Sequence, residues 1–377
     1  MGTSATGKSA ENAGYKDRPW IPRFWDGMTC RAWFPHLLHN HLAIHPVRIA
    51  MAVIISVLAV FNSLLAGLQW LLYHRKIART TIDEAPIFII GHWRSGTTML
   101  HELLVMDERH TSPNTYECFA PDHFLVSAGI LPRLVGFLMP AHRPMDNMAA
   151  GWEQPQEDEF ALCSMGLPSP YITLLFPNRP QYGEYLDFAG VPAAALARWK
   201  QRFVGFLKAV TLRRPRRIVL KSPPHTCRIR TLLELFPNAR FVHIVRDPYT
   251  VFASTLNLWK RLQKDQGLQV PRYEGLEEYV FQTFLRMYEA FERDRPLIDP
   301  GHYCEVRYED LVDDTVGQMR NVYEQLGLEG FDRVQPAIEG YMGAHADYQT
   351  NRYEISAQTK ADIERRWATF FKRYDYE

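Results

Sequence analysis

Ten residues behind a short apolar run combine two glycines, three hydroxyl side chains and an arginine at the spacing of a phosphate-binding loop. This stretch, GHWRSGTTML, has its glycines at Gly91 and Gly96. Backbone N–H groups of such a loop, and the N-terminus of the helix that follows, converge on one anion. A loop that binds ATP or GTP also has a lysine directly after the second glycine. Here that position is Thr97, and the cation, Arg94, precedes the glycine. The spacing predicts a phosphate site, and the missing lysine argues against a nucleoside triphosphate.

A second candidate phosphate ligand ends another strand-like run, in the segment VHIVRDPYTVFAST. Arg246 can give a phosphate two parallel charge-assisted hydrogen bonds, and Ser254 adds a hydroxyl donor on the helix that follows. Asp247 and Pro248 are typical of the cap and the first position of that helix. The alternative interpretation is a strand-end arginine beside a purely structural cap.

Together the two segments resemble the donor-binding motifs of the sulfotransferases that use 3′-phosphoadenosine 5′-phosphosulfate (PAPS). The first is similar to their 5′-phosphosulfate loop, P-[KR]-S-G-T-[TS], with Trp93 in place of the usual proline, and the second to their 3′-phosphate motif, R-[DN]-P-x-x-x-x-x-S. The segment QTNRYEIS is similar to the loop that closes over the nucleotide, although it lacks the R-K-G form of that loop. The resemblance begins at about Pro86 and implies PAPS as the co-substrate, with no metal. The nucleotide-binding residues that it implies are Arg94, Ser95, Gly96, Thr97, Thr98, Arg246, Ser254, Asn351 and Arg352.

The resemblance also implies which side chains catalyse the transfer of a sulfonate to a hydroxyl or an amine. Arg94 and Lys221, the latter at the end of the run RIVLK, would stabilise the leaving phosphate electrostatically. The attacking hydroxyl needs a base. Glu117 in NTYECF, where we expect the second strand to end, resembles the glutamate of the carbohydrate and tyrosylprotein sulfotransferases, whereas the cytosolic enzymes use a histidine. An ion pair with an arginine is the structural alternative for Glu117. The other candidates for the base are His225, His92, His123 or another acid.

Residues 118–200 predict a long insertion that builds the acceptor pocket, since they are rich in proline, methionine and aromatic side chains and show no clean period. Their mixture of acids and apolar residues suits a hydroxyl on a small molecule or a lipid. A segment packed only for structure is the alternative. Three adjacent acids lie at 157–159 and point in different directions, so we interpret them as a solvated surface and not as a metal site.

These motifs require a sheet that sets several strand ends side by side. Four apolar runs predict strands, at 86–90, 217–220, 240–245 and 302–311. Strands that alternate with helices predict a mainly parallel sheet whose ligands bind at the carboxyl ends of the strands. The predicted fold is therefore α/β, a three-layer P-loop-like sulfotransferase domain over residues 85–377, preceded by an N-terminal apolar helix.

Residues 1–84 lie outside the resemblance and contain an apolar segment, 49–73, without any Asp, Glu, Lys or Arg. Such a segment is long enough for a helix to cross a bilayer. The basic residues behind it are Arg75, Lys76 and Arg79. By the positive-inside bias they put the rest of the chain in the cytoplasm. We expect membrane association through 49–73, either spanning or interfacial. The alternative, a helix packed on the domain, is favoured by Asn62, Ser63 and Gln69.

The whole chain, with 377 residues and a formal net charge of +1, gives no electrostatic reason for a nucleic-acid partner. Its five cysteines form no C-x-x-C pair. This argues against a disulfide framework or a structural zinc site and favours a reducing compartment, with the catalytic domain in the cytoplasm. A P-loop kinase or NTPase and an inactive nucleotide-binding scaffold are the competing interpretations. The sequence does not predict the oligomeric state or the acceptor.

Overall fold

The computed structural model describes residues 22–138, 151–344 and 353–376. Its strands are β1 (Ile87–Ile90), β2 (His110–Thr111), β3 (Arg217–Lys221), β4 (Arg240–Val245) and β5 (Tyr303–Arg307). They form a five-stranded sheet in the order β2-β3-β1-β4-β5, and every neighbouring pair is parallel. Parallel neighbours need long crossover connections, which are helical here. The predicted α/β fold with a mainly parallel sheet is confirmed.

The α-helices of the described residues are labelled in chain order. They are α1 (Cys30–His39), α2 (Ile49–Arg79), α3 (Thr97–Val105), α4 (Thr115–Phe119), α5 (Phe124–Ser127), α6 (Leu131–Val135), α7 (Asp158–Ser164), α8 (Ala193–Arg213), α9 (Ile229–Leu235), α10 (Pro248–Gln266), α11 (Leu276–Asp294), α12 (Tyr308–Asp313), α13 (Thr315–Gln325), α14 (Phe331–Ala344), α15 (Ala357–Arg366) and α16 (Ala368–Tyr374). Short 3-10 helices lie at Phe24–Gly27, Pro46–Arg48, Gly136–Leu138, Pro170–Leu174, Gly183–Leu186, Pro223–Cys227, Arg295–Leu297 and Pro300–His302.

Helices cover both faces of the sheet, as the side chains of β1 show. Phe88 and Ile90 belong to a large core that also contains residues of α7, α8, α10 and α11. Ile87 and Ile89 belong to a second core with residues of α3, α13 and α14. Alternate residues of a strand point to opposite faces, so the sheet is the middle of three layers. All four residues are fully buried.

Two segments near the edges of the sheet differ from the predicted pattern. The strand predicted over 302–311 ends at Arg307, and α12 begins at Tyr308. The acids Glu309 and Asp310 occupy the first turn of α12, where the helix dipole favours negative charge. β2 is only two residues long, and Glu117 lies on α4, not at a strand end.

The apolar N-terminal helix packs along the domain. α2 contacts α1, α5 and α8. Trp25 and Trp33, which precede it, are fully buried in the same core as Phe88. Residues 22–84 and the sheet therefore share one hydrophobic core. By length and composition the segment Pro46–Arg79 could also cross a membrane, and 28% of its most apolar window is buried. A core helix of a soluble protein can have the same length and apolar composition.

Candidate active site

The carboxyl ends of three adjacent strands bring the predicted donor-binding segments to one edge of the sheet. β1 lies between β3 and β4, and Ile89 of β1 is opposite Lys221 of β3. The loop that starts at Gly91 follows β1, and Arg246 follows β4. Ligands of open α/β sheets bind outside such strand ends. The topology therefore sets Lys221, the loop and Arg246 around one place.

The two glycines of the loop are required by close packing. Gly96 caps α3 with φ at +101°, and a Cβ there would lie 2.3 Å from the ring of Tyr308. A Cβ at Gly91 would lie 2.5 Å from the carbonyl oxygen of Ile244 on β4. A side chain at either position would push the loop off the sheet. The loop instead stays close and leads directly into α3, whose first N–H groups lack intrahelical partners.

The hydroxyl residues of the loop have different surroundings. Ser95 is buried, and its Oγ donates to the carbonyl oxygen of His92 at 2.7 Å, so this hydroxyl holds the loop's own turn. Thr97 and Thr98 are the first two residues of α3, and Thr98 is the more exposed of the two. Arg94 has a left-handed backbone conformation, with φ at +69°.

Side chains of the two predicted donor-binding motifs contact each other. Arg94 Nε donates to Ser254 Oγ at 2.8 Å, and Arg246 Nη1 donates to the carbonyl oxygen of Arg94 at 3.1 Å. The guanidinium of Arg246 also lies 3.9 Å from the centre of the Tyr308 ring, a cation–π contact. Tyr308 therefore supports Arg246 as well as the tight turn at Gly96. Of the remaining predicted nucleotide ligands, Asn351 and Arg352 lie outside the described residues.

A chain of hydrogen bonds joins the loop to Lys221. Trp93 Nε1 donates to the hydroxyl of Tyr171 at 2.7 Å, and that hydroxyl donates to Glu157 Oε2 at 2.7 Å. Glu157 Oε1 accepts from Lys221 Nζ at 2.8 Å. Burial raises the pKa of Tyr171 well above its ordinary value, and the negative charge of Glu157 raises it further. Tyr171 therefore stays protonated and keeps donating to Glu157.

The three adjacent acids are not the solvated surface that the sequence predicted. Asp158 and Glu159 are fully buried, and the Glu157 side chain is only 15% exposed. Asp158 Oδ2 lies 2.8 Å from His225 Nε2, and Glu159 Oε2 accepts from Arg228 Nη1 at 2.6 Å. Each acid has its own basic partner. Glu157 and Glu159 form ion pairs with Lys221 and Arg228, and Asp158 contacts the imidazole of His225. The apolar run FALC directly behind them is the sequence signal that could have revealed their burial.

Glu117 makes the ion pair that the sequence left open as its structural alternative. Its Oε1 accepts from Arg213 at 2.9 Å and its Oε2 from Arg214 at 2.6 Å. The carboxylate also accepts from the backbone N–H of Asn114, whose side chain in turn caps α4. Glu117 is fully buried, and the bonds on both of its oxygens are structural.

The histidines considered as bases are buried and structurally engaged. His225 lies between the rings of Phe88 and Phe203 as well as against Asp158. Burial lowers the pKa values of His92 and His123 to about 4. His123 hydrogen-bonds to Ser127 and to Asn62 of α2. Within the described residues, no group of three or more His, Cys, Asp or Glu side chains is arranged to hold a metal ion.

The sequence is similar to known proteins. Residues 86–333 match the model of the sulfotransferase family. The chain is 45% identical, over 361 residues, to the omega-hydroxy-beta-dihydromenaquinone-9 sulfotransferase Stf3 of Mycobacterium bovis, and the match covers 96% of this chain and 93% of that protein.

Two solved structures have a similar fold. The sulfotransferase STF9 of Mycobacterium avium matches with a TM-score of 0.67 at 19% identity, covering 93% of this chain and 97% of that one. The sulfotransferase STF1 of Mycobacterium tuberculosis matches with a TM-score of 0.63 at 19% identity, covering 90% of this chain and 92% of that one. At these identities the likeness concerns the fold.

Proposed function

The chain belongs to the sulfotransferase family, and from this membership we propose that it transfers a sulfonate group from PAPS to the hydroxyl of a lipid acceptor. The acceptor oxygen forms a bond to sulfur while the bond from sulfur to the 5′-phosphate breaks, so adenosine 3′,5′-bisphosphate leaves. The observation that carries the proposal is the contact of Arg94 with Ser254. It joins the loop of one motif to the helix of the other, as a nucleotide with phosphates at two positions requires.

The donor is held by cations and hydroxyls at the two motifs. The N-terminus of α3, Thr97 and Thr98 bind the 5′-phosphosulfate, and Arg246 and Ser254 bind the 3′-phosphate. Arg94 and Lys221 stabilise the negative charge that grows on the leaving phosphate. Lys221 has three N–H donors, so it can bind a sulfonate oxygen and Glu157 at the same time. No metal ion is part of this proposal.

Glu157 is the base that accepts the proton of the attacking hydroxyl. It contacts Lys221 directly, whereas both oxygens of Glu117 are held by arginines that belong to neither motif. Each carboxylate oxygen has two lone pairs. The bonds from Lys221 and Tyr171 therefore leave Glu157 able to accept another from the acceptor, and its side chain is partly exposed.

The acceptor is a hydroxylated lipid of the dihydromenaquinone type. The Stf3 relative is named for such a molecule, and its 45% identity extends over nearly the whole of both chains. The residues around Glu157 suit an apolar ligand with one reactive hydroxyl, because the rings of Phe160 and Trp93 pack against Tyr171, which hydrogen-bonds to Glu157. The enzyme meets this lipid at the cytoplasmic surface of a membrane.

Ligand-induced thermal stabilisation separates this function from its rivals. Adenosine 3′,5′-bisphosphate at a hundred times its Kd should stabilise the protein by about 2.7 kcal/mol, and ATP with magnesium should not. A kinase or NTPase would show the opposite order, and that result would overturn the proposal. Arg246→Ala should abolish the bisphosphate shift, and Arg320→Ala, far along the chain on α13, is the control.

Sulfonate transfer identifies the acceptor and excludes an inactive scaffold. The protein is incubated with PAPS labelled in the sulfonate, together with a detergent-dispersed hydroxylated menaquinone, a sterol or a simple sugar. Label should enter the hydroxylated menaquinone. Transfer to the sugar alone would overturn the lipid assignment, and no transfer to any alcohol despite bisphosphate binding would favour the scaffold.

A further inference from the structure

The outward side of α2 is an unpartnered apolar surface. Its residues recur at three- and four-residue steps and so lie on one side of the helix. They are Val53, Val57, Val60, Leu64, Leu68 and Leu71, here called the outer face; Val57 is 65% exposed and Leu64 71%. Among the residues that the structure describes, exposed large apolar side chains are concentrated in two segments, 34–72 and 130–137. The exceptions are Val270, Tyr273, Leu297 and Val312. Soluble monomers rarely expose such a concentration without a partner.

The opposite side of α2 is bound to the domain through polar groups. Asn62 Nδ2 donates to the carbonyl oxygens of Asp26 at 2.7 Å and Met28 at 3.1 Å. Gln69 Oε1 accepts from the backbone N–H of Leu125 at 2.7 Å. In a helix that crossed a bilayer away from the domain, these amides would lose their partners inside hydrocarbon, which is strongly unfavourable. The helix is thus built to keep one side on the protein and the other side outward.

The C-terminal end of the outer face continues into positive charge. Four-residue steps lead from Leu64 and Leu68 to Leu72, and Arg75 and Arg79 extend the same side of the helix and are exposed. No Asp or Glu occurs in 46–79. Trp70 is 65% exposed and stacks on His74. An apolar side bordered by arginines and an exposed tryptophan has the chemistry of a helix in the headgroup region of an anionic bilayer.

We propose that the outer face lies flat in the surface of an anionic lipid bilayer while α2 stays docked on the catalytic domain. The apolar side chains enter the bilayer just below the headgroups, and Arg75 and Arg79 bind the headgroups. This deepens the proposed function and rests on it only for the lipid nature of the acceptor. The helix does not span the membrane.

Packing links the membrane-facing helix to the catalytic carboxylate. Asn62 of α2 bonds to Asp26 in the 3-10 helix Phe24–Gly27. In the same short helix, Phe24 stacks on Phe160 of α7 with ring centres 3.9 Å apart. Glu157 directly precedes α7, at its N-cap position. The bilayer surface and Glu157 are therefore held at a fixed separation, which suits an acceptor whose chain stays in the membrane while its hydroxyl reacts.

Depth measurements test the flat orientation. Single cysteines at Val53, Leu64 and Leu71, in a protein with Cys30→Ser, carry an environment-sensitive probe, and lipids with quenchers at defined depths are mixed into phosphatidylglycerol vesicles. The other natural cysteines are buried. A flat helix gives the same shallow depth at all three positions. A depth that is greatest at Leu64 would show a spanning helix and overturn the proposal.

Substitutions on the two sides of α2 give a second readout. Val57→Glu with Leu64→Glu should reduce sedimentation with phosphatidylglycerol vesicles at least about tenfold without a lower melting temperature. The matched control, Leu297→Glu with Val312→Glu, should bind as the natural protein does. Asn62→Leu should lower the melting temperature by about 2–4 °C. An unchanged or higher melting temperature would contradict the docked helix.

The outcomes distinguish membrane binding by the outer face from a dimer interface and from the proposed function. Loss of a dimer in light scattering by the outer-face variant, with unchanged vesicle binding, would assign the outer face to a second copy and overturn the proposal. Sulfonate transfer to a detergent-dispersed acceptor does not need a bilayer. Normal transfer without vesicle binding therefore refutes the membrane inference alone, and vesicle binding without transfer refutes the proposed function alone.

Discussion

Glu157 and Glu117 are both paired carboxylates, but their partners give them different chemistry. Lys221 and Tyr171, the partners of Glu157, belong to the network that reaches the phosphate loop through Trp93. The partners of Glu117 tie α4 to the end of α8. A base needs contact with the reacting groups and a lone pair within reach of the acceptor. We propose Glu157 for this role because it contacts Lys221 and its side chain is partly exposed.

Glu157→Gln should therefore impair chemistry more than binding. Glutamine keeps the shape and can still accept from Lys221, but it cannot take up the proton of the acceptor. We expect kcat to fall by about 10²–10⁴-fold, with the affinity for adenosine 3′,5′-bisphosphate unchanged. Steady-state transfer assays and the thermal shift by the bisphosphate measure the two effects separately.

Glu117→Gln is the matched comparison, and it should affect stability more than turnover. It removes the carboxylate from two charge-assisted hydrogen bonds, each worth about 1.5–3 kcal/mol. Urea unfolding should show that loss, while the protein that remains folded keeps most of its kcat. If instead Glu117→Gln unfolds like the natural protein and has no turnover, the base is Glu117 and the assignment to Glu157 fails.

At the scale of elements, the strands that the sequence predicts well are the ones buried on both faces. The runs at 86–90 and 240–245 are continuous and apolar, because a central parallel strand has no solvent face, and both form strands with nearly the predicted bounds. The loop between β1 and α3 was also predictable from its two glycines. The packing around each glycine leaves no room for a Cβ, so only glycine fits at these positions.

The network around Glu157 could not be predicted because its partners are distant in sequence. Glu157, Asp158 and Glu159 pair with residues on and just after β3. No local sequence pattern indicates such pairings. Charged residues are usually exposed, so the three acids by themselves gave no reason to expect burial. The sequence contains one weak indication of the role of Trp93, because this residue replaces the usual proline of the loop. A buried indole N–H needs a hydrogen-bond acceptor, and the hydroxyl of Tyr171 is that acceptor.

Two glycine substitutions test how the loop element is built. Gly96→Ala places a Cβ against Tyr308 and strains a left-handed residue. We expect an unfolding cost on the order of 1–3 kcal/mol and at least a tenfold weaker affinity for the bisphosphate. Gly205→Ala on α8 is the control, because a Cβ there meets nothing within 4 Å and alanine favours a helix by up to about 1 kcal/mol. Equal behaviour of the two variants would contradict the packing argument.

At the scale of the whole molecule, the large core contains histidines that must stay neutral. Burial lowers the pKa values of His36, His92 and His123 to about 4, and that of His101 to about 3 with help from the positive charge of Lys221. In the unfolded chain a histidine titrates near 6.5. The unfolded state therefore binds more protons between pH 6.5 and 4, and the stability due to neutral histidines is lost as the pH falls through that range.

One buried acid opposes this trend. Burial raises the pKa of Asp26 to about 6, above the 3.8 of the unfolded chain. The folded state therefore takes up this proton first, and the contribution of Asp26 to stability grows as the pH falls. Burial also lowers the pKa values of His110 and His243. Six histidines therefore act against one aspartate, and the net effect of acid is destabilising. Each uncompensated proton changes the free energy of unfolding by about 1.4 kcal/mol per pH unit.

Urea unfolding at pH 7.5, 6, 5 and 4.5 should show this loss, and one substitution should weaken it. His123→Gln keeps a side chain that can hydrogen-bond to Ser127 and Asn62 but cannot be protonated. The pH dependence of its unfolding free energy should therefore be shallower by about 1 kcal/mol per pH unit between pH 6 and 4.5. Gln325→Asn, at an exposed residue of α13 that carries no titrating group, should keep the natural slope. The same slope in both variants would mean that His123 accepts a proton within the folded protein, and that the docking of α2 tolerates its charge.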